Sequence, residues 1–197
     1  MGRAEAQCIA DLAGPAGRGT VVDAGCGSGE LLEWLNPQRG IGLDLNATAI
    51  EMARQHLPQY EFSVSDACRP PVPAGSVDCI VSMHLIEHLP CLAPAMEGWR
   101  AALRPGGKLV LITPNAAFHH PEVFDDPDHK HIYRGAELRD AVSQCGFVVE
   151  KVFTLGLWGF RNWPLLWRLA PTFQRMRLHW PAMRWRGQSL ALSARRA

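Results

Sequence analysis

A chain of 197 residues with 47% hydrophobic content suits one globular domain with a sizeable core. No apolar run approaches the ~20 residues needed to span a bilayer, no apolar stretch near Met1 reads as a secretory leader, and Ala6 stands where a myristoylation site needs Ser or Thr. The formal net charge of +1 conceals two unlike parts: residues 1–150 carry 11 Lys and Arg against all 19 acids, whereas residues 151–197 carry nine basic residues, no acid and five of the seven tryptophans.

Apolar β-branched runs alternate with helical patterns along the chain, which predicts βαβ units and a parallel sheet. Strands are predicted near 20–24, 40–44, 60–64, 77–82 and 107–113. Helices are predicted near 29–35 on Leu31, Leu32 and Leu35, near 46–56 behind the capping residue Asn46, and near 93–103. A further helix from Gly135 to Cys145 is stopped by Gly146. Phe147–Phe153 reads as a sixth strand and Ser189–Ala194 as a seventh. The six cysteines are scattered with no C-x-x-C pair, so they read as free thiols of a reducing compartment and a cytoplasmic location is expected.

Chemistry is first suggested at Val21-Val22-Asp23-Ala24-Gly25-Cys26-Gly27-Ser28-Gly29, where a buried strand feeds a glycine-rich turn. Glycine lets a chain turn sharply and approach a ligand without a Cβ in the way. The dinucleotide fingerprint would place a third glycine three residues after Gly27, where the pyrophosphate meets a helix N-terminus; that position is Glu30, which would repel it. The pattern is G-x-G-x-G instead. It resembles motif I of the Rossmann-like, class I S-adenosylmethionine-dependent methyltransferases, of the type 11 or ubiquinone-pathway-like small enzymes.

Val64-Ser65-Asp66-Ala67, Gly75–Ser82 and Leu103–Ile112 are similar to later segments of that family in the same order, over roughly residues 19–150. The resemblance implies a doubly wound, seven-stranded α/β sheet whose last strand runs antiparallel, with S-adenosyl-L-methionine as cofactor. It places Asp23, Gly25, Cys26 and Gly27 at the methionine part, Asp44 with Leu45 at the ribose, Asp66 with Ala67 at the adenine, and Met83 beside the methyl group. One domain over 1–197 is expected, with a core of about 19–155, a last strand at about 188–195 and a Trp/Arg-rich insertion at about 156–187.

Ligands of open α/β sheets bind beyond the carboxyl ends of the strands, and six of the eight histidines lie there, between 84 and 131. His84, His129 and His131 are the candidates for acid–base work on the acceptor; His119 and His120 lie in the same stretch. His84, Glu87 and His88 have the spacing of one helical face, so with His129 they form an alternative set of metal ligands. That segment is similar to the E-x-x-E-H signature of metal-dependent small-RNA 2′-O-methyltransferases and ubiquinone-pathway O-methyltransferases, with His84 in place of the first acid. Imidazole in that place favours zinc, manganese or iron over magnesium. Asp125–Tyr133 resembles the family's D-x-x-H-x-x-x-[FY] loop.

The expected reaction is methyl transfer to a small-molecule or lipid-linked acceptor, at a hydroxyl oxygen. Metal-assisted RNA 2′-O-methylation and cofactor binding without catalysis are the alternatives, the acidic core arguing against nucleic acid. Residues 156–187, with Trp163, Trp167, Trp180 and Trp185 among arginines, suit a substrate lid, plain packing or peripheral contact with an anionic membrane surface.

Overall fold

The computed structural model describes residues 3–117, 126–155 and 189–197. Seven strands form one sheet: β1 (Thr20–Ala24), β2 (Arg39–Asp44), β3 (Glu61–Val64), β4 (Val77–Met83), β5 (Leu103–Pro114), β6 (Phe147–Leu155) and β7 (Ser189–Arg196), in the order β3-β2-β1-β4-β5-β7-β6. Pairing is parallel from β3 across to β5, and β7 runs antiparallel to both of its neighbours. Each predicted strand and helix is present, with ends shifted by a few residues.

The sheet is covered on both faces because its strands are apolar on both. Val21, Cys79, Val81, Val110, Ile112 and Ala191 enter one cluster with α1 (Arg3–Ala13), α2 (Glu30–Leu35) and α3 (Ala47–His56). Their strand neighbours Val22, Ile80, Leu109, Leu111 and Leu192 enter the other with α4 (Ala93–Ala102) and α5 (Gly135–Gln144). Side chains alternate across a strand, so near-continuous apolar runs are what a two-sided sheet requires. Asn46 caps α3 as the sequence suggests, its side chain accepting from the amides of Thr48 and Ala49 at 3.0 and 3.1 Å.

Helix α1 was not anticipated from the sequence. Its Ala6, Ile9 and Ala13 recur at helical spacing and are fully buried, but alanine-rich periodicity is a weak signal beside the leucines of α2. Among the described residues no helix is long and apolar enough to cross a membrane. The expectations for 156–187, and those for His119 and His120, fall outside the described residues.

Helix α4 also fixes part of the carboxyl edge of the sheet. The fully buried Trp99 donates its indole N–H to the carbonyl of Ala67 at 2.7 Å, and a Cβ at Gly98 would stand 2.0 Å from the carbonyl oxygen of Cys68. Intrinsic propensity alone would make Gly98→Ala stabilising by about 1 kcal/mol. The backbone approach reverses the sign, and we expect the variant to lose about 1–3 kcal/mol in denaturant unfolding, the range of overpacked cores.

Candidate active site

Three strands deliver the cleft. At the end of β1 the chain turns through Gly25 and Gly27, at φ +81 and +51, and the amides of Gly25 and Cys26 both reach the carbonyl of Leu43 in β2 at 2.8 and 3.0 Å. Left-handed backbone at both positions is what selects glycine there. Gly25 also lies under Leu85: a Cβ on it would stand 3.1 Å from the Leu85 Cβ. Asp23, Gly25, Cys26, Gly27, Ser28, Glu30, Leu31 and Met83 line a cleft of about 250 Å³.

Asp23 is 1% exposed, and one of its carboxylate oxygens, Oδ2, has no hydrogen-bond partner. Burial, together with the negative charge of Asp44, pushes its carboxyl up to about 7. A buried acid short of donors is a site waiting for a cation or donor group. Asp44, at the end of β2, is held in position instead: Oδ2 accepts the Gly27 amide at 2.9 Å and Oδ1 the Asn46 amide at 2.8 Å. Both oxygens keep lone pairs for further donors. Beside it Leu45 is 75% exposed, an apolar side chain left for something to cover. Asp66 Oδ1 accepts the Cys68 amide at 2.9 Å, closing a turn that Trp99 anchors through Ala67.

These residues fit S-adenosylmethionine. An ammonium would supply the donor that Asp23 lacks, ribose hydroxyls have acceptors in Asp44, and Asp66 with the Ala67 amide has the polarity of an adenine edge.

Beyond β4 the structure departs from the helical face expected for His84, Glu87 and His88. His84 adopts φ +55, and only Ile86–His88 form a short 3₁₀ turn. The His84 ring lies between two carboxylates, Nδ1 at 3.2 Å from Glu87 Oε1 and Nε2 at 3.2 Å from Glu5 Oε1 on α1. Those bonds outweigh the opposing effect of burial and hold the imidazolium up to about 10. With both nitrogens protonated at neutral pH, His84 carries a positive charge there and has no lone pair with which to take a proton.

His129 is brought to Glu87 by backbone. The amides of Lys130 and His131 donate to the Glu87 carbonyl at 2.7 and 3.1 Å, and Tyr133 bridges to Asn115 at the end of β5. The His129 side chain is 11% exposed and its ring tilts against that of His88 at 4.8 Å. Glu87, His88 and His129 place ligand atoms within 4.8 Å of one another, whereas His84 turns to Glu5. Glu87, 1% exposed, also accepts the Thr113 hydroxyl at 3.0 Å. His131 packs on Tyr133 and bonds Glu137 in the first turn of α5, so it supports a helix start. The partner Glu5 has no motif in the sequence.

A seven-stranded sheet of this order, with a glycine turn over a buried acid at the end of its first strand, has the architecture of the class I, Rossmann-like methyltransferases. The model of a family described as a methyltransferase domain matches residues 3–152, and the chain belongs to that family. It is 33% identical over 146 residues to a probable S-adenosylmethionine-dependent methyltransferase of Mycolicibacterium smegmatis, covering 72% of this chain and 56% of the relative. It is also 33% identical over 104 residues to a ubiquinone biosynthesis O-methyltransferase of Coxiella burnetii, covering 50% and 44%. The chain thus spans about half the length of these curated relatives. In fold it is similar to an S-adenosylmethionine-dependent methyltransferase from Mesorhizobium loti, with TM-score 0.76 and 21% identity over 99% of both chains.

Asp23 should make cofactor binding pH-dependent. Its folded value lies above the ordinary carboxylate value, so ionising it in the ligand-free protein costs stability between about pH 4 and 7. Asp23→Asn should flatten the melting temperature across that window. In the native protein S-adenosylmethionine should bind more weakly as pH falls below about 7, releasing a proton on binding; calorimetry in buffers of different ionisation enthalpy checks this. Loss of the anchored acid in Asp44→Ala should weaken the same binding by about 2 kcal/mol, roughly thirtyfold in Kd, the scale of hydrogen bonds to a charged group.

Proposed function

We propose that the protein transfers the methyl group of S-adenosylmethionine to a hydroxyl oxygen of a small or lipid-linked acceptor. The observation that carries the reading is the Asp23 carboxylate, buried and short of a partner beneath the Gly25–Gly27 turn, in a cleft that Met83 also lines. S-adenosylmethionine supplies a methyl carbon activated by sulfonium; the acceptor oxygen attacks it, the carbon–sulfur bond breaks, and its electron pair goes to sulfur. The protein's part is alignment and removal of the acceptor's proton.

An oxygen acceptor is supported by the relative named as a ubiquinone biosynthesis O-methyltransferase. The Trp- and Arg-rich composition of residues 156–187 supports an acceptor that is apolar or carries phosphate. We assign removal of the hydroxyl proton to His129, a role supported by the docking of its loop on the Glu87 carbonyl and by its nearness to Glu87 and His88. A second reading, transfer assisted by a divalent metal, rests on the convergence of Glu87, His88 and His129, a set that suits zinc or manganese.

The test is release of S-adenosylhomocysteine with a panel of hydroxylated small molecules and extracted lipids. We expect turnover that survives chelator, and a loss of about 100-fold in kcat in His129→Ala with S-adenosylmethionine affinity retained. Turnover abolished by chelator and restored by manganese or zinc would favour the second reading. Tight cofactor binding with no turnover on any acceptor would instead mark a binding protein without catalysis.

A further inference from the structure

We propose that Glu5 on the N-terminal helix is a positioning residue of the reaction site: with Glu87 it grips both nitrogens of the His84 ring and sets the backbone turn that carries Met83 and Leu85 to the cofactor cleft. The inference rests on the methyltransferase reading, since it takes that cleft to be the donor site.

His84 and Asn36 are the non-glycine residues at positive φ among those described. Asn36 sits at the C-cap of α2, where asparagine commonly adopts that conformation. His84 has no such local excuse, because it follows directly on a strand. An uncommon backbone conformation persists when its surroundings over-determine it, and here they do. The amide of His84 donates to Ile112 in β5 at 2.8 Å, while its two ring nitrogens meet Glu87 and Glu5 at 3.2 Å each.

Glu5 is itself held. The same Oε1 that faces His84 accepts the Ser189 hydroxyl on β7 at 2.8 Å, and the side chain is only 13% exposed. Thr113 on β5 fixes the far oxygen of Glu87. The clamp therefore joins α1, the end of β4, the 3₁₀ turn, β5 and β7. Packing alone does not explain Glu5, since Ala6, Ile9 and Ala13 already bury the apolar face of α1 against the core.

The neighbours of His84 show what the turn positions. On one side Met83 lines the cleft. On the other Leu85 lies against Gly25, so closely that a Cβ on the glycine would press it at 3.1 Å. A turn relaxed at His84 would shift both at once. The N-terminal helix thereby supports the reaction site from behind, although it lines no part of the cleft.

The experiment uses the full chain as wild type, Glu5→Gln and the charge-retaining Glu5→Asp. Hydrogen exchange follows residues 83–89 against the rest of the sheet, chemical denaturation follows global stability, and calorimetry follows S-adenosylhomocysteine. Glu5→Gln should raise exchange in 83–89 beyond any change elsewhere and weaken S-adenosylhomocysteine about tenfold, with Glu5→Asp restoring part of both. Unchanged exchange in 83–89 in Glu5→Gln would overturn the clamp. Raised exchange with unchanged affinity would overturn the positioning role. Should Glu5→Gln not fold, Glu5→Asp decides by the same criteria. Failure of wild type to bind S-adenosylhomocysteine would overturn the methyltransferase reading, and exchange would still decide whether Glu5 holds the turn.

Discussion

Parallel pairing of β1 with β2 on one side and β4 on the other brings three strand ends to one edge of the sheet, and the chain must leave that edge without stranding its polar groups. The glycine turn meets this demand by extending the ladder: Gly25 and Cys26 both donate to Leu43, and Gly27 donates to the Asp44 side chain. Because those amides are bound, the turn presents its open face to the cleft. Because Asp44 is bound twice, its carboxylate is held before any ligand arrives. Asp23 Oδ2 and Ser65 Oγ are the buried side-chain atoms left without a partner among the described residues, and of the two only Asp23 can carry a charge.

The electrostatics of the edge agree with a cationic donor. Asp23, Asp44 and Glu30 stand around or beside the cleft, and further along Glu5 and Glu87 enclose one imidazolium. Burial raises the Asp23 carboxyl first, and repulsion by the charge of Asp44 raises it further. A ligand bearing ammonium and sulfonium relieves that repulsion, whereas a pyrophosphate would add to it.

Much of the fold was legible in the sequence. Strands buried on both faces read as apolar runs, Asn46 announces the start of α3, and Gly146 follows α5, each a local signal acting through local geometry. The glycine turn after β1 was legible too, because Gly25 and Gly27 act through backbone shape, at φ +81 and +51. The histidines were legible as a group and not as a geometry. Helical spacing suggests one face for His84, Glu87 and His88, but the chain has just left a strand at His84 and turns left-handed there.

The sequence by itself determined the elements from β1 onward, the two-sided sheet and the kind of cofactor turn, since each follows from neighbours within a few residues along the chain. Only the tertiary structure decided which side chains share a charge. Glu5 and His84 are 79 residues apart, Ser189 lies 184 residues from Glu5, and Glu87 meets Thr113 across two strands. Such pairs carry no periodicity, because what brings them together is the packing of α1 across the ends of β4, β5 and β7.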